Sequence, residues 1–213
     1  MSQSLVVGIT DPGAPGRLVV LNGVSSAGKT TLASAFRAER AEAGEFWLLV
    51  GIDDVLSKLP VEWLDLGYPQ GPGDHAHEGL WFERTGDGVR LRVGTVCRQL
   101  LDLYHRSVAD AVRAGLNVIV DDVVIDRETR DSWFRALDGL HVTWVAVRCP
   151  RDLAVAREQQ RGDRPVGMAD AQYDTVHLDV PYAFEIDTGI LTPSEALVAL
   201  MRQLGLEGPT PER

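Results

Sequence analysis

A chain of 213 residues that is 45% hydrophobic and 24% charged has room for one substantial core and the usage of an ordinary globular protein, which excludes the disordered and collagen-like classes. Its formal net charge of -10 sets the surface as a whole against nucleic acid and anionic membranes. No apolar run reaches the roughly 18 residues of a membrane helix, the N-terminus has no secretory-signal pattern, and Cys97 and Cys149 lie outside any CxxC spacing, so a cytoplasmic chain with two reduced, buried thiols is expected.

Residues 1–16, with their Pro and Gly, read as a loose leader, 17–207 as a single domain, and 208–213 as a tail. Within the domain, short β-branched runs alternate with longer segments of helical period, the pattern of crossover units around a parallel sheet whose faces are both covered. Strands are expected at 18–21, 46–50, 117–121, 142–147 and 183–187. Helices are expected at 29–43 and 93–114, each stopped by a glycine, and at 126–137, 151–161 and 168–178. A last helix is marked by Thr192 as cap, Pro193 in the first turn and Glu195 completing a capping box.

Residues 60–93 interrupt this rhythm as an insertion on the substrate side. Residues 67–79 are rich in Gly, Pro and His and too long for a mere connector, and 81–93 read as a hairpin turning at Gly86-Asp87-Gly88. His75 and His77 lack a carboxylate or cysteine partner at metal-binding spacing. Trp63, Tyr68, Trp81 and Phe82 either line a pocket for a ring-bearing substrate or pack in the core.

The strongest chemical signal is Gly23-Val24-Ser25-Ser26-Ala27-Gly28-Lys29-Thr30, which matches GxxxxGK[ST] between a strand and a helix. Such a loop turns backbone amides toward phosphate oxygens at a helix N-terminus, so Gly23, Ser25, Ser26, Ala27, Gly28, Lys29, Thr30 and Thr31 are candidate nucleotide-binding residues, with Lys29 reaching the β- and γ-phosphates and Thr30 offering a hydroxyl to Mg²⁺. Asp53 and Asp54 follow the second strand. A kinase needs a carboxylate there to take a proton from the accepting hydroxyl; Asp53 is the candidate, while Asp54 suits a helix cap.

Asp121, at the end of the third strand, either joins the Mg²⁺ shell or orders a water, or serves its loop alone. Arg157, Arg161 and Arg164 straddle a helix end and a Gly/Pro-containing loop, a lid near 161–169; they either neutralise charge on a transferred phosphoryl group or pair with Glu158 and Asp163 in solvent. Arg157 and Arg161 are four apart and so share a helix face.

These residues predict an α/β, P-loop kinase-like three-layer sandwich that uses ATP or GTP with Mg²⁺ to phosphorylate a small-molecule hydroxyl acceptor, with no nucleic-acid or membrane partner and a homo-oligomer left open. Leu21-Asn22-Gly23-Val24-Ser25-Ser26-Ala27-Gly28-Lys29-Thr30, Gly51-Ile52-Asp53, Asp121-Asp122-Val123 and Arg161-Gly162-Asp163-Arg164 together resemble the chloramphenicol phosphotransferase family from about residue 17 to 204. The resemblance implies a five-stranded parallel sheet of order 2-3-1-4-5, Asp53 as base, and an antibiotic such as chloramphenicol as acceptor. Val24 stands where the family pattern has glycine, Asp54 where it has serine, and the region 66–79 is longer, which separates this acceptor pocket from the family's. A metabolite, nucleoside or sugar kinase, and a nucleotide-binding switch with no small acceptor, are the alternatives.

Overall fold

A computed structural model describes residues 13–67, 73–85, 88–161 and 166–206. The expected leader therefore lies largely, and the tail wholly, outside the described residues, as do Tyr68 and the hairpin residues Gly86 and Asp87. In chain order the elements are β1 (Leu18–Asn22), α1 (Lys29–Glu42), β2 (Leu48–Gly51), α2 (Ile52–Leu56), β3 (Leu64–Asp65), β4 (Leu80–Thr85), β5 (Gly88–Val93), α3 (Thr95–Arg113), β6 (Val118–Asp122), α4 (Arg127–Ala136), β7 (Val142–Arg148), α5 (Arg151–Arg161), α6 (Met168–Gln172), β8 (Phe184–Asp187) and α7 (Pro193–Gln203), with single 3-10 turns at Val61–Trp63 and Ala76–Glu78.

Five strands form one parallel sheet in the order β2-β6-β1-β7-β8. Counting the strands of this sheet alone, the order is 2-3-1-4-5; the whole-chain numbering differs because β3, β4 and β5 intervene as a second sheet. β1 is central and buried at every residue, as an apolar strand paired on both edges must be. Successive residues of β6 point to opposite faces: Asp121 meets Thr30 of α1, whereas Asp122 meets Trp133 of α4. Helices α1 and α4 therefore cover opposite faces; α1 packs with α7 and α3 with α4. The core joins both layers, with the Phe36 and Trp47 rings meeting edge-on at 4.9 Å.

Three boundaries differ from the sequence expectation by two residues or more. The second strand starts at Leu48, where pairing with Val118 begins, and leaves Phe46 half exposed. Val93 is the last residue of β5, paired with Leu80, and Gly94 in an extended conformation starts α3. The segment after Met168 stops being helical at Gln172, where the Thr175 hydroxyl donates to Gln172 O (3.3 Å) and Ile125 O (3.3 Å) and Val176 O is taken by Asn22, side-chain bonds that compete with the helical ladder. The hairpin over 81–93 is present as β4 and β5, extended by β3 running parallel to β4. Among the described residues no helix is long and apolar enough to cross a membrane.

Between α3 and α4, His105 is fully buried, stacks on Trp133 (4.0 Å between centroids, 28° between planes) and bonds Ser132 Oγ through Nδ1 at 2.7 Å. The Ser132 hydroxyl donates to Asp102, so the imidazole Nδ1–H donates to the serine. Burial, opposed by Asp102 and helped by Arg135, pushes the His105 pKa down from 6.5 to about 3. The unfolded chain therefore takes up a proton near pH 6.5 that the native state refuses until about pH 3, and this group removes stability as pH falls through that window. His105→Gln should reduce the loss of unfolding free energy between pH 7 and pH 4.5 by about 2 kcal/mol in urea titrations, and an unchanged loss would show that His105 is not held neutral.

Candidate active site

The carboxyl edge of the large sheet delivers the 23–28 loop from β1 into α1. Gly23 has to be glycine because a Cβ there would stand 2.3 Å from Val147 O, and Gly28, at φ +90°, occupies the left-handed region before the helix. Ser26 holds a left-handed conformation too (φ +60°), although it carries a Cβ. Lys29 is only 5% exposed; its Nζ donates to Val24 O at 2.9 Å and lies 3.8 Å from Asp121 Oδ1. Thr30 Oγ1 donates to Asp121 Oδ2 at 2.5 Å. The Ser25 and Ser26 hydroxyls are buried and, among the described residues, have no hydrogen-bond partner.

Beside this loop opens a cleft of about 410 Å³. Ser26, Gly28, Lys29, Thr30, Thr31, Asp53 and Asp121 line it, with Arg157, Gln160 and Arg161 from α5 and the apolar residues Leu32, Ile52, Val123, Leu191, Pro193 and Ala196. The sequence candidates thus converge, except that Gly23, Ser25 and Ala27 belong to the loop without lining the cleft, and that Arg164, with Gly162, Asp163 and Pro165 of the expected lid, lies outside the described residues.

Asp53 and Asp54 are separated by a helix and not by strand alternation. Both sit in the first turn of α2, where Asp54 Oδ2 accepts Gly51 N–H at 3.0 Å and so caps the start of the helix, while Asp53 faces the cleft. Asp121 and Asp122 part across the sheet. Asp122 is fully buried, accepts the Trp133 indole N–H, and has its pKa pushed up to about 6 by burial, partly offset by its hydrogen bonds. The hydroxyl of Tyr104, also buried and without a partner among the described residues, feels the charges of Asp122, Asp121, Asp54 and Asp53, which add to burial in pushing its pKa well up.

Arg157 and Arg161 do share a helix face, and both border the cleft. Arg157 is engaged behind the loop, donating to Thr188 O (2.9 Å), Thr188 Oγ1 (3.3 Å) and Cys149 Sγ (3.4 Å), and Thr188 Oγ1 in turn donates to Ala27 O at 2.6 Å. Thr188 was not among the sequence candidates; its position one residue beyond β8, at the same sheet edge as the loop, is the signal that would have found it. Gln172 and Glu158, which hold the loop and α6, carry no comparable signal, because their partners are backbone amides.

Among the described residues, the aromatic side chains of the insertion, Trp63, Trp81 and Phe82, do not line the cleft. Trp63 stacks on His75 (4.6 Å, 24°), Trp81 meets His77 edge-on at 4.9 Å, and Phe82 packs against the core. His75 Nδ1 also lies 3.3 Å from Glu78 Oε1. Both cysteines are free and buried, and burial pushes the Cys97 thiol up to about 12.

A family model described as chloramphenicol phosphotransferase-like protein matches residues 16–204. Proteins from two strains of Mycobacterium tuberculosis, each named "Putative O-phosphotransferase", are 35% identical over 179 residues, which cover 81% of this chain and 75% of theirs. Among solved structures, a sugar kinase from a Janibacter species superposes with a TM-score of 0.62 at 18% identity, covering 90% of this chain and 96% of its own. The Mycobacterium tuberculosis APS kinase in complex with AMPPNP and APS gives 0.61 at 13% identity, covering 90% and 99%. At these identities the structural likenesses establish the fold.

The division of labour between the two adjacent acids is open to measurement. Asp54→Ala removes the cap of α2 and should lower stability by about 1 kcal/mol, which for a chain of this size is a fall in Tm of roughly 2–4 °C by calorimetry. An unchanged Tm would mean that the Gly51 amide does not depend on Asp54.

Proposed function

The chain belongs to the chloramphenicol phosphotransferase-like family, and we propose that it transfers the γ-phosphoryl group of ATP to a hydroxyl of a small molecule. The observation that carries this reading is the junction at the cleft of Lys29, Thr30 and Asp121, with Asp53 on the same wall. A buried ammonium, the helix N-terminus and two unpartnered buried hydroxyls suit a polyphosphate. The apolar part of the lining suits a nucleobase, and the cleft volume lies in the range of small-ligand sites.

Thr30 Oγ1 and the Asp121 carboxylate are hard oxygen donors 2.5 Å apart, a set that fits Mg²⁺, directly or through water. When bound there the ion would neutralise charge on the β- and γ-oxygens. Lys29 supports the same charge from the loop, and Arg161, on the α5 wall, is suited to the oxygens of the transferred group. Asp53 takes the proton of the accepting hydroxyl as its oxygen forms the new bond to phosphorus, and the bond from phosphorus to the ADP oxygen breaks on the opposite side. Arg157 is a brace for the phosphate loop through Thr188, a role its hydrogen bonds support over direct contact with the phosphoryl group.

For the acceptor we favour a hydroxylated antibiotic of the chloramphenicol kind, on the strength of the family. Incubating the purified chain with Mg·ATP and a panel of hydroxylated antibiotics, nucleosides and sugars, with ³¹P NMR detection, should show a phosphorylated antibiotic; phosphorylation of a sugar or nucleoside alone would overturn the antibiotic assignment and keep the kinase. With the acceptor so identified, Lys29→Ala should lower turnover at least about 100-fold. Asp53→Asn should lower kcat by about 100-fold or more while ATP affinity changes by less than about threefold, and near-normal turnover would sink the base assignment.

A further inference from the structure

The phosphate loop is gripped from outside by a residue its motif does not contain. Gln172, the last residue of α6, is buried, and its Oε1 accepts Ser25 N–H at 2.8 Å. That N–H belongs to the same peptide unit as the Val24 carbonyl, which receives the Lys29 ammonium at 2.9 Å. The unit is planar and trans, so its N–H and C=O point in opposite directions. Drawing the N–H out toward α6 therefore turns the carbonyl in toward Lys29.

The grip is itself anchored. Glu158 of α5 is fully buried, and its two carboxylate oxygens accept Gly167 N–H at 2.7 Å and Ala169 N–H at 2.9 Å, which fixes the start of α6. The next residue along the loop, Ser26, has the left-handed conformation that a side chain with a Cβ keeps only where its surroundings enforce it. A rotation of the Val24–Ser25 peptide would change the backbone on both sides and release Lys29 from its carbonyl.

We propose that Gln172 is a positioning residue for phosphoryl transfer, orienting the Val24–Ser25 peptide so that its carbonyl holds Lys29 at the cleft, with Glu158 setting Gln172 in place. The proposal rests on the nucleotide reading above and adds to it two residues from outside the loop. It differs from a general packing role in one respect: its effect falls on the part of a nucleotide that Lys29 touches.

Gln172→Leu keeps the bulk and removes the acceptor. The Ser25 amide should then exchange with solvent at least about tenfold faster by NMR, and AMPPNP should bind about tenfold more weakly, while adenosine, which has no phosphates, binds within about twofold of wild type. Gln172→Glu restores an oxygen for the amide and should restore slow exchange. Glu158→Gln, which leaves one oxygen for two amides, should shift exchange and AMPPNP affinity the same way by less, and carries the test should the leucine variant not fold. Unchanged Ser25 exchange, or equal weakening of AMPPNP and adenosine, would overturn the proposal. A wild-type chain that binds no AMPPNP while Gln172→Leu still frees the Ser25 amide would overturn the nucleotide reading and this role with it, leaving only the contact.

Discussion

A buried ammonium is the constraint around which this molecule is arranged. Lys29 lies at the carboxyl edge of the sheet with almost no access to water, and a charge so placed must be met by oxygen atoms. One is the carbonyl of Val24 and another is the carboxylate of Asp121, which arrives from the neighbouring strand because β6 pairs with β1 in register, Leu21 opposite Asp121. The loop that provides the carbonyl is strained at Ser26, and it is tied on its outer side by Gln172 to Ser25 and by Thr188 to Ala27. Asn22, at the end of β1 and wholly buried, joins the same scaffold, accepting Val124 N–H at 2.9 Å and donating to Val176 O at 2.7 Å. The loop is therefore held by three separate stretches of chain, around residues 121–124, 172–176 and 188, and its shape is a property of the whole sheet edge.

The two acid pairs illustrate how identical side chains acquire different roles from backbone geometry alone. In β6 the pleat sends Asp121 to the cleft and Asp122 into the layer between the sheet and α4, where burial raises its pKa and the Trp133 indole meets it. In α2 the helical rotation sends Asp53 to the cleft and lets Asp54 close a cap on Gly51. Each pair contributes one carboxylate to the cleft and one to the frame. The buried Tyr104 hydroxyl senses all four charges.

The insertion forms its own small sheet, and α6 packs against β5, so the helix that grips the phosphate loop also touches the insertion. The aromatic and histidine residues there meet one another, Trp63 with His75 and Trp81 with His77, an arrangement that stiffens the insertion itself.

The chain alone specifies the parallel sheet, the phosphate loop and the hairpin, because each is encoded in contiguous residues: a β-branched run, a glycine spacing, a two-sided alternation about a turn. It also named Lys29, Thr30, Asp53 and Asp121, which sit at strand ends or in a motif and whose meeting follows from the parallel topology. Helix ends were less legible, since the stop of α6 at Gln172 depends on Thr175 and Asn22 bonding distant carbonyls. The folded arrangement alone shows that Arg157 braces Thr188, that Gln172 holds the loop at Ser25 and that Glu158 holds the start of α6. These roles rest on side chains bonded to backbone groups far away in sequence, from 9 residues for Glu158 to Gly167 up to 147 for Gln172 to Ser25. A backbone amide is offered by every residue except proline, so no residue type or spacing in the chain can announce which one a buried side chain will meet.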